Sequence, residues 1–342
     1  MLYYSTNKKT PNATLEEAVV KGLASDKGLF MPEKIKQLPK EFFDTITNLS
    51  FQELSYIVAD AFFGEDVEAK KLKEIVYETL NFDTPIVKVK NNIYSLELFH
   101  GPTLAFKDVG ARFMARLLGY FIAKHEQQLV NVLVATSGDT GSAVANGFLG
   151  VPGIRVFVLY PKGKVSSIQE CQFTTLGKNI IALEVNGTFD DCQELVKSAF
   201  MDADLSAKHK LTSANSINVA RFLPQAFYYF YAYAQIRKIE KEKDVVICVP
   251  SGNFGNITAG LFGKKMGIYP AEFVANYISS TNSDGECSIL IDDYKKYGLI
   301  GNYFYIVNIN KTGPNLDYYS TEFLRLEQDE LNKEYLVVLI LK

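Results

Sequence analysis

The sequence predicts an α/β protein built on a mostly parallel sheet, and three observations carry that expectation. From about residue 86, short apolar runs alternate with helical patterns, the signature of β–α–β units. Two strand-to-helix junctions share one spacing, Ser-Gly-x-x-Gly, at Ser137, Gly138 and Gly141 and again at Ser251, Gly252 and Gly255. Hydrophobic residues make up 47% of the chain, yet no apolar run approaches the roughly 20 residues that span a bilayer.

Residues 1–85 read as mostly helical. "TLEEAVVKGLA" places Thr14 three residues before Glu17, and "SFQELSYIVADAFF" places Ser50 three residues before Glu53; both are capping-box spacings. "VEAKKLKEIVYETL" is a third amphipathic helix, and "SDKGLFMPE", with Gly28 and Pro32, reads as a turn. "IYSLELF" is then a strand, followed by "HGPTLAFKDVG" and a helix from about Lys107 to Glu126. The strands "NVLVAT", "RVFVLYP", "NIIALEV", "HKLTSA" and "DVVICVP" follow. Between and after them come the helices "GSAVANGFLG", "FDDCQELVKSAF", a long "INVARFLPQAFYYFYAYAQIRK" and "GNITAGLFGKKM". In such folds ligands sit at the carboxyl ends of strands.

The bulk numbers narrow the function. The 342 residues favour two domains or one large α/β domain with an appendage. A net charge of −3 argues against a nucleic-acid surface or an anionic membrane. The cysteines, Cys171, Cys192, Cys248 and Cys287, form no C-x-x-C pair, and with three histidines in the chain no metal site is expected. The N-terminus lacks an apolar signal-peptide core. A soluble cytoplasmic protein with reduced thiols is expected.

The two matching loops are anion cradles in the making. Glycine lets backbone approach a ligand closely, and a helix N-terminus supplies unpaired N–H groups and partial positive charge. Neither loop matches the dinucleotide or P-loop spacing. A third polar cluster, "TSANSINVAR", offers Asn215 or Ser216 as a cap. It also sets Asn218 and Arg221 three apart on one helix face. Arg221 is one of six arginines in the chain, and a guanidinium matches phosphate in a bidentate way. Lys107 follows Leu104, Ala105 and Phe106 at a helix start. Apolar surroundings and a helix N-terminus both disfavour an ammonium, so the Lys107 pKa is expected to be depressed, as a lysine that does chemistry requires. Such lysines form Schiff bases with carbonyls, above all with pyridoxal phosphate. A pyridoxal phosphate enzyme acting on a phosphorylated amino acid must hold three anions, and three suitable clusters are present.

Seven ordered stretches, from "YYSTNKKTPNATLEEAVVKGLASDKGLFMPE" through "HGPTLAFKDVGARFMARLLGYF", "VATSGDTGSAVANGF", "LYPKGKVSSIQECQFTTLGKNI", "NGTFDDCQELVKSAF" and "LTSANSINVARFLPQAFYYF" to "VPSGNFGNITAG", resemble the threonine synthases over residues 1 to about 275. These are pyridoxal phosphate enzymes of the tryptophan-synthase-β-like fold, fold type II. The resemblance implies a helical N-terminal domain (1–85), a partial large cofactor-binding domain (86–125 and 225–275), a smaller α/β domain (126–224) and a non-family tail (276–342). It implies that Lys107 carries pyridoxal 5'-phosphate as the internal aldimine and shuttles protons, with Phe106 near the ring. Gly252, Asn253, Phe254, Gly255 and Asn256 correspond to the cofactor-phosphate cradle. Thr136, Ser137, Gly138, Asp139 and Thr140 correspond to the loop that meets the substrate carboxylate. Ser213, Asn215, Ser216, Asn218 and Arg221, with Lys164, correspond to the region that receives the substrate phosphate.

The implied reaction converts O-phospho-L-homoserine and water to L-threonine and phosphate, by a monomer or homodimer without nucleic-acid or membrane partners. The alternatives are a dehydratase or phospholyase of the same fold, or a catalytically impaired ligand-binding remnant. After about Val274 the resemblance stops. The family's Gly-Thr-x-His-Pro segment, which meets the pyridine nitrogen, has no counterpart, and no histidine follows His209. The tail reads as an altered frame, a truncated gene or a divergent C-terminus. Residues beyond about 280 are expected to be irregular, with "LVVLILK" either adding a strand or exposing apolar surface, and cofactor binding without turnover is expected.

Overall fold

The computed structural model describes residues 1–90, 92–125, 129–241, 244–251, 255–268, 271–277, 307–309, 321–323 and 335–341. Strand β1 (Tyr3–Ser5) leads to helix α1 (Leu15–Lys21), strand β2 (Phe30–Pro32), helices α2 (Lys40–Thr45), α3 (Phe51–Phe63) and α4 (Ala69–Thr79), and strands β3 (Ile86–Lys90) and β4 (Ile93–Glu97). Helix α5 (Lys107–Ala123) comes next, then β5 (Val130–Ala135), α6 (Asp139–Phe148), β6 (Ile154–Pro161), α7 (Ser167–Thr174), β7 (Ile180–Val185), α8 (Phe189–Met201), α9 (Ala203–Lys208) and β8 (Lys210–Ser213). The chain continues through α10 (Val219–Phe222), α11 (Ala226–Ile239), β9 (Asp244–Ser251), α12 (Gly255–Met266), β10 (Ala271–Tyr277), β11 (Val307–Ile309), β12 (Thr321–Phe323) and β13 (Tyr335–Leu341).

The N-terminal capping boxes form as their spacing predicts. Thr14 accepts from the Glu17 N–H while the Glu17 carboxylate accepts from the Thr14 N–H, and Ser50 and Glu53 repeat the arrangement. Each pair satisfies two backbone donors that a helix start leaves open. The apolar faces of α1, α3 and α4 then join one continuous core with α5, which is buried along most of its length. Phe62, Phe63, Phe113 and Phe227 are among its fully buried side chains, each contributing about 1.5–3 kcal/mol of burial.

Two larger sheets carry the strand ends. One is four-stranded and wholly parallel, in the order β7-β6-β5-β8. Its inner strand β5 is buried on nearly every residue, as parallel strands covered on both faces should be. The other is five-stranded, in the order β10-β9-β13-β4-β3. It is parallel except for the β3–β4 hairpin at its edge.

Several expectations from sequence need correction. "SDKGLFMPE" is not a turn throughout. Backbone bonds from Lys27 to Ala24 and from Ala24 to Gly28 close the turn by residue 28, which frees Phe30–Pro32 to pair antiparallel with Tyr3–Ser5. The helix starting at Lys107 ends at Ala123 rather than near Glu126, and Glu126 lies outside the described residues. The long helix expected across Ile217 to Lys238 is broken. Pro224 has no N–H to continue the ladder, and the chain passes through a 3₁₀ turn at Leu223–Gln225 before α11 begins. Strand β3 and helices α7 and α9 were not anticipated.

The apolar C-terminal run becomes a strand, and not at an edge. Tyr335–Leu341 lies between β9 and β4 and runs parallel to both. The expectation of irregular chain beyond residue 280 therefore fails at β11, β12 and β13. The segments 278–306, 310–320 and 324–334 lie outside the described residues.

Because β13 is the only described link between β9 and β4, deleting residues 335–342 should leave each of them paired on one side alone, β9 with β10 and β4 with β3. Hydrogen exchange should then show lost protection at Ile93–Glu97 and Asp244–Ser251, with protection in β5 and β6 retained. Unchanged exchange at β4 and β9 would contradict this register.

Candidate active site

Four of the loops that leave the carboxyl ends of parallel strands carry the main candidate residues: those after β4, β5, β8 and β9. The first presents Lys107. Between Gly101 and Asp108 the chain folds into two tight turns, closed by bonds from the Leu104 N–H to Gly101 O and from the Asp108 N–H to Ala105 O, each 3.0 Å. The Asp108 carboxylate is buried and accepts from the Thr103 N–H at 2.9 Å and from the Thr103 hydroxyl at 2.6 Å. Leu104 sits at φ +58° and is 66% exposed. That conformation is uncommon for a bulky residue, and the clamp between Thr103 and Asp108 holds it. Asp108 is itself pushed up by burial, partly offset by its bonds to Thr103.

Lys107, the first residue of α5, keeps 19% of its side chain exposed. Burial lowers its ammonium and Arg221 lowers it further, while Asp139 works the other way. Lys107 Nζ lies 3.8 Å from Asp139 Oδ2 and 5.7 Å from the centre of the Phe106 ring. The amine is thus closed on one side by an aromatic ring and on another by a carboxylate.

The loop after β5 is organised by Thr136, not by a serine cap. Thr136 Oγ1 accepts from the N–H groups of Gly138, at 3.0 Å, and Gly141, at 2.8 Å. Gly138 has φ +147°, and a Cβ there would collide with the Gln169 amide. Glycine is therefore required both by the backbone conformation and by the close approach. Ser137 is exposed, while Asp139 and Thr140 are half-buried at the start of α6.

The loop after β8 holds the third cluster. The expected caps, Asn215 and Ser216, do not cap the next helix. Asn218 does, its Oδ1 accepting from the Ala220 N–H at 2.9 Å. Asn218 is therefore outside the helix and does not share a helical face with Arg221. Its amide nitrogen donates to Val19 O at 2.9 Å and to Ser213 O at 3.3 Å, tying the loop to α1. Ser213 Oγ accepts from the Asn215 N–H at 3.2 Å. Arg221 is 1% exposed and donates from Nη1 to Ala214 O. Burial pushes its guanidinium down to about 10, opposed by Asp108, so it is still a cation at neutral pH. Its backbone carbonyl lies against α5 at Gly110, where a Cβ would collide with it.

At the fourth loop, Gly252, Asn253 and Phe254 lie outside the described residues. Gly255 opens α12, and a Cβ there would lie 3.6 Å from Ser216 Cβ, so the third and fourth clusters adjoin. Asn256 is buried, its Oδ1 accepting from the Ile257 N–H at 2.9 Å. Lys164 is exposed in the turn before α7. Lys107, Asp139 and Arg221 are thus brought together, as are Ser216 and Gly255. Among the described residues, no hydrogen bond or ion pair joins the Lys164 side chain to either group.

The arrangement fits a phosphate-bearing aldehyde. A half-buried lysine with a depressed ammonium lies in the field of a buried cation, and two buried polar atoms, Arg221 Nε and Asn215 Oδ1, have no hydrogen-bond partner among the described residues. Unpartnered buried groups of this kind are rare and mark sites completed by something else. Among the described residues no cluster suits a metal ion, and no helix is long and apolar enough to cross a membrane. Sequence reasoning missed Thr103, Asp108 and Gln169. Gln169 had a readable signal, standing three residues after Ser166 in a capping spacing.

Comparison with known proteins agrees with this geometry. The family model described as threonine synthase N terminus matches residues 2–80, and that of pyridoxal-phosphate dependent enzymes matches residues 77–283, somewhat beyond the limit read from sequence. Threonine synthase from Buchnera aphidicola subsp. Baizongia pistaciae is 45% identical over 83% of this chain and 65% of its own length. That from Haemophilus influenzae is 45% identical over 84% and 69%. Among solved structures, pyridoxal-phosphate-bound threonine synthase from Brucella melitensis has a TM-score of 0.75 at 37% identity, covering 81% of this chain and 60% of its own. Threonine synthase from Escherichia coli has 0.75 at 37%, covering 99% and 78%. The chain spans about two thirds of the length of the curated relatives it matches.

Thr136→Val should leave the Gly138 and Gly141 N–H groups buried without an acceptor. A loss of about 1–3 kcal/mol in urea unfolding is expected, and Thr136→Ser should recover most of it. Equal stability of the valine variant would show that the hydroxyl does not organise the loop.

Proposed function

The chain belongs to the threonine synthase family of pyridoxal-phosphate dependent enzymes, and from that premise we propose that it binds pyridoxal 5'-phosphate at Lys107 and converts O-phospho-L-homoserine and water to L-threonine and phosphate. The observation that carries this reading is Lys107 itself. It is an amine at a helix start, lowered by burial and by a buried cation, at the carboxyl ends of parallel strands.

When bound, the cofactor supplies an electron sink that lets protons leave the carbons next to the substrate's amino group. The residues supply the rest. Lys107 Nζ is the attachment point and, as a free amine, takes and returns protons at substrate Cα and Cβ. The proposed cofactor-phosphate cradle is Gly252 to Asn256, supported by the start of α12 at a partly buried Gly255. Thr136 to Thr140 are proposed to orient the substrate carboxylate with the N–H groups at the start of α6. Ser213, Asn215, Ser216 and Lys164 are proposed for the substrate phosphate. Asn218 would shape that turn, and Arg221 would act by charge on the departing dianion. The division into domains at 1–85, 86–125 with 225–275, 126–224 and 276–342 is proposed on the same ground, and the separate four-stranded sheet supports the smaller α/β domain.

Two measurements test this. Borohydride reduction with pyridoxal phosphate, followed by peptide mass mapping, should place a pyridoxyl group on Lys107, and a modification elsewhere in folded protein would overturn the assignment. With phosphohomoserine, threonine and phosphate should form in equal amounts; 2-oxobutyrate and ammonia would identify a dehydratase or phospholyase instead. Cofactor at Lys107 with neither product would support the impaired, ligand-binding reading.

A further inference from the structure

We propose that Gln169 is a positioning residue for the active-site lysine: its side-chain amide, oriented by Ser166, holds the Asp139 carboxylate against Lys107 Nζ as that lysine's counter-ion. The inference rests on reading Lys107 as the cofactor lysine, and gives Asp139 a part different from meeting the substrate carboxylate.

The placement of Asp139 raises the question. A loop that receives a carboxylate gains nothing from presenting another one, since like charges repel. Asp139 nevertheless occupies the first position of α6, half-buried, with Oδ2 3.8 Å from Lys107 Nζ. Its other oxygen, Oδ1, accepts from Gln169 Nε2 at 2.5 Å. The orientation of that amide follows from its partners. A carboxylate only accepts, so the NH₂ end must face Asp139. The oxygen end, Oε1, takes the Ser166 hydroxyl proton at 2.9 Å, while Ser166 Oγ accepts from the Gln169 N–H at 3.4 Å as the cap of α7. Gly138 supplies the space, since any Cβ there would collide with the Gln169 amide. Ser142 Oγ donates to Gln169 O at 3.2 Å, which ties α7 to α6.

The consequence is electrostatic. Three influences act on the Lys107 ammonium: burial and Arg221 lower it, and Asp139 raises it. Asp108 faces Thr103 and Arg221 rather than the amine. Asp139 is thus the one described carboxylate that stabilises the protonated lysine. Released from Gln169, its carboxylate is free to turn toward solvent or toward the N–H groups of α6, which also attract an anion. The amide keeps it on Lys107.

Competitive acetylation of the cofactor-free protein tests this, with the Lys107 peptide followed by mass spectrometry from neutral to strongly alkaline pH. Asp139→Asn should lower the Lys107 midpoint by about one to three units. Labelling at neutral pH should speed up about tenfold per unit. Gln169→Leu should lower the midpoint in the same direction by less. The double variant should shift no further than Asp139→Asn alone, because Gln169 acts through Asp139. A merely structural role would change the unfolding midpoint and leave the Lys107 titration in place, and that outcome overturns the proposal. So does an additive double variant. Both substituted residues are partly exposed, so both variants are expected to fold. Because no cofactor is present, failure of cofactor attachment at Lys107 would leave this titration readable by itself.

Discussion

The site depends on keeping one ammonium uncomfortable without driving it out. Lys107 stands at the start of a buried helix, in the field of the Arg221 cation and 3.8 Å from the Asp139 carboxylate. Burial and the guanidinium favour the free amine, while the carboxylate limits how far that goes. A lysine in water would be almost wholly protonated at neutral pH, and useless as an attachment point or a base. Burial prevails here because the side chain is enclosed while the carboxylate, at 3.8 Å, is partly solvated.

The surrounding architecture can be read as support for that balance. Arg221 remains charged inside the protein because Ala214 O accepts from it and Asp108 offsets its burial. Asp108 in turn clamps Thr103, and that clamp sustains the positive-φ turn at Leu104 that delivers Lys107 to the helix start. Gly110 lets the backbone at Arg221 come against α5. Asn218 closes the same circuit from the other end by joining the β8 loop to α1. Each polar group in the circuit has a partner because an unpartnered one would cost about 1–3 kcal/mol. The exceptions, Arg221 Nε and Asn215 Oδ1, lie at the proposed anion-binding end.

What could be read from sequence was what depends on neighbours a few residues apart. The capping boxes at Thr14 and Ser50, the alternation of strands and helices, and the turn from β5 into α6 at Ser137–Gly141 are local patterns, and these were legible. Lys107 was legible because its apolar flank and helix start are contiguous in the chain. The break at Pro224 was legible in principle but was overridden by a continuous aromatic pattern on both sides. Contacts over long separations were not legible. Nothing near Asn218 announces that its amide bonds Val19, and nothing near Gln169 announces Asp139, thirty residues away. The central position of Tyr335–Leu341 is the same kind of fact: an apolar run specifies a strand, but its neighbours β4 and β9 are chosen by the sheet.

The central claim, that Lys107 is an amine poised below the ordinary lysine range, is tested most directly by nuclear magnetic resonance of protein labelled with carbon-13 at the lysine ε-carbons. Lys107, assigned by its loss in Lys107→Met, should titrate clearly below the surface lysines. A midpoint equal to or above theirs would contradict the account, since burial and Arg221 would then not outweigh Asp139.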